Sequence, residues 1–317
     1  MSTFEATGQI AVQRPVSGGV RLVRRISRRP VAVVAIAVIV IIYGAGILAP
    51  LIAPYGFNEA DLLHRSEGVG SDHLLGTDNL GRDLLSRAIW SARTTVIISV
   101  LSLAAGGLAM GVTLGLVAGY LRGTVDAVIM RMAEIFHSVP TLLLMLIINA
   151  SLRTRVEDWG EWLDDQIGQG WIEDYSSYFL VLVVLSLFSW PGIARLVRSQ
   201  VLAARESPYI VAARAAGAST PRIVFRHLLP NISNLLIVAL TLSLGGLALA
   251  EVGLSFLGIG IQDNPTFGLM IAEAVGVSNV REHPLLILVP GFFISLLVLS
   301  FNLLGDQLTD VLSPRRR

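Results

Sequence analysis

Between residues 31 and 53 the chain carries no charged side chain, and the stretch is long enough to cross the hydrocarbon of a bilayer as a helix. Inside lipid every backbone N–H and C=O must be satisfied within the protein, so such a run reads as a spanning α-helix. It is too long for a signal-peptide core, and no small-residue cleavage pattern follows it, so we read a retained span and not a removed leader. Five more apolar runs follow at residues 93–119, 127–151, 178–197, 231–258 and 284–304. The expected fold is all-α and membrane-embedded, with six transmembrane helices. Composition agrees: 53% of residues are hydrophobic and 15% charged, against about 25% charged in soluble domains.

The charges orient the spans. Arg14, Arg21, Arg24, Arg25, Arg28 and Arg29 crowd a polar tail at residues 1–30, and Arg315, Arg316 and Arg317 close the chain at 310–317. Arginines flanking spans hold those ends in the cytoplasm, so both termini are expected inside. Residues 54–92 are then extracytoplasmic, and residues 93–309 form a core of the remaining five spans. That core carries an acidic outer insert at 152–177 and a basic inner loop at 198–230. Trp159, Trp162, Leu163 and Ile167 recur at helical spacing within the insert, which suits either a helix lying on the membrane surface or a small soluble cap. Pro140 inside the third run predicts a kink. Gly106, Gly107, Gly111, Gly115 and Gly119 stripe the second run and predict close helix packing, within the chain or against a partner.

Several chemistries are excluded. All 24 basic residues are arginine, so no phosphate-binding lysine of the Walker type exists and no Schiff base forms. If ATP drives this protein, another chain hydrolyses it. Cysteine is absent, which removes disulfides, thiolate zinc sites and cysteine nucleophiles. The net charge of +1 gives no global field for nucleic acid. His64, His73, His137, His227 and His283 lack ligand spacing, so no metal site is expected, and no serine–histidine–acid set gathers on one side of the membrane.

The most informative stretch is residues 207–231, SPYIVAARAAGASTPRIVFRHLLPN. Pro208 starts a helix, and Tyr209, Ala212 and Ala213 continue it with small, strongly helical neighbours. Gly217 ends it, followed by Ala218; Thr220 is a candidate N-cap with Pro221 at the first helical position. The expectation is two short helices joined at a glycine, with small side chains that let another protein approach closely. Arg214, Arg222, Arg226 and His227 supply charge, and Pro230 leads back to the bilayer. The plain alternative is a solvated connection, although an ordered loop of this length needs a reason.

Other candidates carry two readings each. Glu251, near the outer end of the fifth run, lines a solute path or gate, or pairs with a polar neighbour. Arg131 and Glu134, three apart on the third run with His137 beyond them, form a structural ion pair or a gate. Asp78, Arg82 and Asp83 around Gly76 and Gly81 order the loop entering the second span, or touch an external partner.

The loop resembles the coupling loop of type I ABC importer permeases, whose pattern is Glu-Ala-Ala, three residues, Gly, then about nine residues to Leu-Pro. Here it reads Val211-Ala212-Ala213, Gly217 and Leu229-Pro230, departing at Val211 where the family has glutamate. Leu75 to Asp83 with Ser86-Arg87 is similar to the segment before the second span of the "C" permeases of dipeptide and oligopeptide transporters. Trp190, Ala194-Arg195, Val197-Arg198, Arg205-Glu206, Glu251, Leu254 to Gly258 and Asn302 to Asp306 also match, while Phe267-Gly268 stands where Trp-Gly is common. The resemblance implies a multi-pass subunit of a bacterial inner membrane importer. A second permease would pair with it, and two cytoplasmic ATP-binding subunits holding ATP and Mg would dock on the loop. An extracytoplasmic substrate-binding protein would deliver solute. The family pattern serves dipeptides, oligopeptides, glutathione, nickel chelates and oligosaccharides. Ser255 and Phe256 join Glu251, Arg131 and Glu134 as candidate path or gate residues. A gradient-driven secondary transporter would lack a docking loop, and an intramembrane enzyme would need a catalytic set.

Overall fold

A computed structural model of the chain describes residues 25–138, 140–167, 172–275 and 282–312. The expectations for residues 1–24 and 313–317 therefore lie outside the described residues, as does the middle of the acidic insert at 168–171. The described chain is helical throughout apart from connecting loops and one isolated β-bridge between Thr77 and Asp83.

Helix α1 spans Pro30–Ile47, with proline at its first turn where a missing N–H costs nothing, and the short α2 spans Ala49–Ile52. Helix α3 spans Leu84–Ser102 and begins well before Arg93, where the apolar run starts. Its first turn is polar but capped: Asp83 accepts the Ser86 N–H at 2.7 Å. The helix passes without a break through a π-helical stretch, Leu103–Val112, into α4, Thr113–Leu121. Helices α5, Gly123–Ser138, and α6, Thr141–Ile167, meet at a 91° bend around Pro140. A proline there removes an N–H and disfavours helix at the residue before it. Helix α7 is Ile172–Ala204, α8 Pro208–Ala215, and α9 Thr220–Ile223. A π turn, Val224–Leu228, joins α9 to α10, Leu229–Phe256. Helices α11, Phe267–Val275, and α12, Leu285–Leu312, follow.

Among the described residues five helical segments are long and apolar enough to cross a membrane, and six if the bent α5–α6 pair counts as one. Their outward faces are greasy: Ile41, Leu51, Phe292 and Leu299 stand more than half exposed, as lipid-facing residues do. Inside, α1, α3, α10 and α12 close one core around Tyr43, Val96, Val252 and Leu297. A second core joins α3, α6, α7 and α10 through Ile98, Met145, Leu185 and Leu254.

The glycine stripe packs within the chain, against α7. A Cβ at Gly115 would fall 2.7 Å from both the Ala194 carbonyl and Val197 Cβ, and one at Gly119 would fall 2.8 Å from Val201 Cβ. Only glycine allows this approach of two backbones. The residues expected in the acidic insert do not form a separate cap up to Ile167, because α6 runs through Trp159 and Trp162 without a break. Both tryptophans are about half exposed, and Trp159 meets Phe179 of α7 at 6.2 Å between rings.

Candidate functional site

The loop after α7 is built on the ends of the bundle. Ile210 of α8, Ile223 of α9 and Leu228 are almost completely buried, and they pack with Val112, Leu116, Val197 and Val201 from the long helices. Burying each such side chain contributes roughly 1.5–3 kcal/mol, enough to hold a short helix that would not form alone. Pro208 opens α8, as expected. Gly217 takes φ +81° after Ala216, and two hydrogen bonds close the turn: Gly217 N–H to Arg214 O and Ala218 N–H to Ala213 O, both 3.0 Å. This is a Schellman cap, and its left-handed position suits glycine. One detail differs from expectation. Ser219 is the N-cap of α9, Thr220 is its first residue, and neither side chain caps it. Thr220 instead reaches the Tyr120 hydroxyl at 3.5 Å. The second helix is also not a separate piece, since it runs through the π turn into α10.

The anchored side leaves an outward face of Tyr209, Val211, Ala212, Arg214 and Gly217, all exposed, with Ala213 and Ala218 half-buried behind them. Val211, where the related pattern has glutamate, is 52% exposed and forms part of this face. Arg222, Phe225, Arg226 and Pro230 are exposed further on, while His227 is half-buried.

Three polar ties brace the loop. Arg198 grips Asp126 of α5 through both Nε and Nη2. Arg122 pairs with Glu206 at 2.6 Å, and that partner holds the Glu206 carboxyl below its usual range. Arg205 donates to the Tyr120 carbonyl at 2.7 Å and lies over the Tyr120 ring. These partners are 72 to 85 residues apart, so no local spacing signals them.

The opposite end carries a second polar construction. Asp78, Arg82 and Asp83 do order the loop before α3. Asp78 accepts the Leu80 and Arg82 N–H groups at 2.8 and 3.0 Å, and Arg82 Nε at 2.6 Å. Gly76 and Gly81 both take φ +79° at its turns. Arg87, 3% exposed, then bridges Asp78 and Glu273 of α11, each at 2.6 Å, and Arg82 also reaches Glu273 at 2.8 Å. The cluster ties the start of one long helix to the short helix between two others. Nearby, His64 meets Asp61 at 2.8 Å and His73 meets Asp83 at 3.1 Å. The Asp61 partner raises the His64 pKa, and Asp61 is lowered in turn.

Of the candidate path residues, Glu251 and Ser255 meet inside the bundle, while Arg131 and Glu134 pair with each other on the surface of α5. Glu251 is fully buried and accepts hydrogen bonds from Thr95 and Ser255, both at 3.0 Å. Ser255 is 1% exposed and Phe256 41% exposed at the end of α10. Arg131 and Glu134 form an exposed ion pair at 3.1 Å on α5.

A bundle of apolar spanning helices, carrying at one end an ordered loop braced on the helix ends, is a multi-pass membrane protein. Residues 111–317 match the family model described as binding-protein-dependent transport system inner membrane component. Residues 20–68 match the N-terminal TM domain of oligopeptide transport permease C. The chain is 32% identical over 295 residues to the dipeptide transport system permease protein DppC of Alkalihalophilus pseudofirmus, covering 93% of this chain and 89% of that protein. It is 34% identical to the glutathione transport system permease protein GsiD of Pectobacterium atrosepticum, over 92% of this chain and 89% of that one. Against the oligopeptide transport system permease protein OppC of Bacillus subtilis the values are 30%, 92% and 88%. The chain therefore belongs to the binding-protein-dependent transport system inner membrane components.

Proposed function

We propose that the chain is the permease subunit of an ATP-driven importer of di- and oligopeptides in a bacterial inner membrane. Both termini are cytoplasmic, and six spans result from counting α5–α6 as one broken crossing. A second permease pairs with it, two ATP-binding subunits grip the loop from the cytoplasm, and a binding protein delivers solute from outside. ATP and Mg belong to those partner subunits; this chain transmits motion. The observation that carries the reading is the loop's construction: buried Ile210, Ile223 and Leu228 behind, a Schellman turn at Gly217, and an exposed face of Tyr209, Val211, Ala212, Arg214 and Gly217 in front. A rigid handle of this kind passes force between packed bodies, whereas a slack connection would absorb it. The relatives named for dipeptide and oligopeptide transport support the solute class. Glutathione, the solute named for the Pectobacterium relative, is the second reading.

The cysteine-free sequence makes the test clean. Single cysteines introduced as Ala212→Cys and Arg65→Cys are labelled in intact cells and in inverted vesicles with a membrane-impermeant maleimide. Residue 212 reacts only in inverted vesicles and 65 only in intact cells. Ala212→Cys also cross-links to an ATP-binding subunit in the assembled complex. Labelling of residue 212 from outside overturns the topology, and failure to cross-link overturns the docking role.

A further inference from the structure

A cleft of about 490 Å3 lies between α3 and α7, at the end of the bundle away from the coupling loop. Its lining combines aromatic side chains, among them Phe57, Trp90, Tyr175 and Tyr178, with aliphatic ones, and includes Arg93 and Asn264. That volume falls in the range of sites for small organic ligands, roughly 300–1,000 Å3. Its frame is fixed. The Thr94 hydroxyl donates to the Pro265 carbonyl at 3.0 Å and meets the Tyr178 hydroxyl at 3.3 Å. Phe57 packs on Trp90 at 5.1 Å between rings.

Arg93 is the unusual component. It sits nine residues into α3, about 13 Å along the helix axis from its start. It is half-buried, with its guanidinium 5.2 Å from the centre of the Trp90 ring. Among the described residues no carboxylate or other acceptor meets it. The nearby arginines of this end are used differently: Arg82 and Arg87 hold Asp78 and Glu273, and Arg153 holds Glu157 at 2.7 Å. Arg65 and Arg155 also meet no carboxylate among the described residues, but both stand exposed at the surface. The neighbouring acid, Asp263, bonds Ser177 at 3.3 Å. A guanidinium at the outer start of the apolar run, stacked on one face and meeting no acceptor at its edge among the described residues, is free to take an anionic ligand. A guanidinium edge fits a carboxylate through two parallel hydrogen bonds.

We propose that this cleft is a solute subsite that takes the free carboxylate of a peptide on Arg93, with the aromatic walls receiving the adjacent side chain. The inference rests on the reading of the chain as a peptide permease. It adds that the permease itself, and not only the delivering protein, selects for an acid terminus.

The test uses the complete transporter, in cells, with alanyl-phenylalanine as the free acid and as its C-terminal amide. Wild type takes up the acid in preference to the amide. Arg93→Gln lowers uptake efficiency for the acid about tenfold, the size of one charged hydrogen-bonded contact, mainly through KM, and abolishes the preference. Arg93→Lys, which keeps the charge but loses the fork, retains an intermediate preference. Should Arg93→Gln fail to assemble, the preference ratio of Arg93→Lys decides alone, and a wild-type ratio overturns the proposal. An equal fall for acid and amide also overturns it, pointing to a lipid headgroup or packing role for Arg93. If wild type imports neither form, the peptide reading falls and this subsite falls with it. If wild type imports both and Arg93→Gln leaves their ratio unchanged, only the subsite falls.

Discussion

Gly217 is the point at which the coupling reading is most exposed to test. Its φ of +81° lies in the left-handed region, and a Cβ built there would meet no atom within 4 Å. Substitution is therefore strained by the backbone alone, by about 1–2 kcal/mol for an ordinary L-residue. That strain lowers the population of the closed Schellman turn by roughly 5- to 30-fold. It does not release α8 and α9, because the buried Ile210, Ile223 and Leu228 hold them with several kcal/mol. Asparagine tolerates the left-handed conformation and restores much of the turn. Leucine adds the same strain as alanine and also projects a bulky group from an exposed position on the face proposed to dock. Solute import per ATP hydrolysed, measured on the assembled complex in proteoliposomes, is expected to fall in the order wild type, Gly217→Asn, Gly217→Ala, Gly217→Leu. All three variants insert normally, and the leucine variant hydrolyses ATP without commensurate import. Wild-type import by Gly217→Leu refutes the reasoning, because neither the turn nor the surface would then matter to coupling.

Other perturbations test the frame. Gly115→Val places side-chain carbons against the Ala194 carbonyl and Val197, and is expected to reduce the folded yield in membranes sharply. Gly192→Ala, with open space around it, leaves the yield unchanged; fluorescence-detected size exclusion compares the two. Arg87→Met removes the buried cation between Asp78 and Glu273, leaves the two carboxylates to share Arg82 alone, and is expected to destabilise the fold by about 1–3 kcal/mol. The fall in thermal midpoint is partly recovered by adding Glu273→Gln. His64 titrates above the ordinary 6.5 because Asp61 favours its charged form. Its contribution to local order is full below that ordinary value and is lost as pH rises through the raised one. The lowered Asp61 loses its own contribution as pH falls through its depressed value. NMR of the labelled histidines should show the His64 transition move down in Asp61→Asn, and an unmoved transition denies the pair.

The order of the helices and the nature of the loop were legible from the chain. A bilayer applies a local criterion, length of apolar run, that no tertiary contact has to complete. Proline and glycine punctuation acts locally too, so Pro208, Gly217 and the break at Pro140 were readable one residue at a time. The N-cap of α9 fell one residue early because serine and threonine cap about equally well and the sequence offers both side by side. The early start of α3 was hidden because Asp83, Ser86 and Arg87 read as a polar loop until their partners are known.

What the sequence determined by itself was therefore a set of membrane-spanning helices and an ordered loop between two of them, since solvent and backbone chemistry dictate both within a few residues. Tertiary structure decided the rest: that the glycine stripe serves α7, that Glu251 rests on Thr95, that Arg87 joins Asp78 to Glu273, and that Arg93 meets no carboxylate among the described residues. Those outcomes depend on which side chains meet across 79 to 186 residues of chain, and charge pairing and close packing are properties of distance in space, which spacing in sequence does not encode.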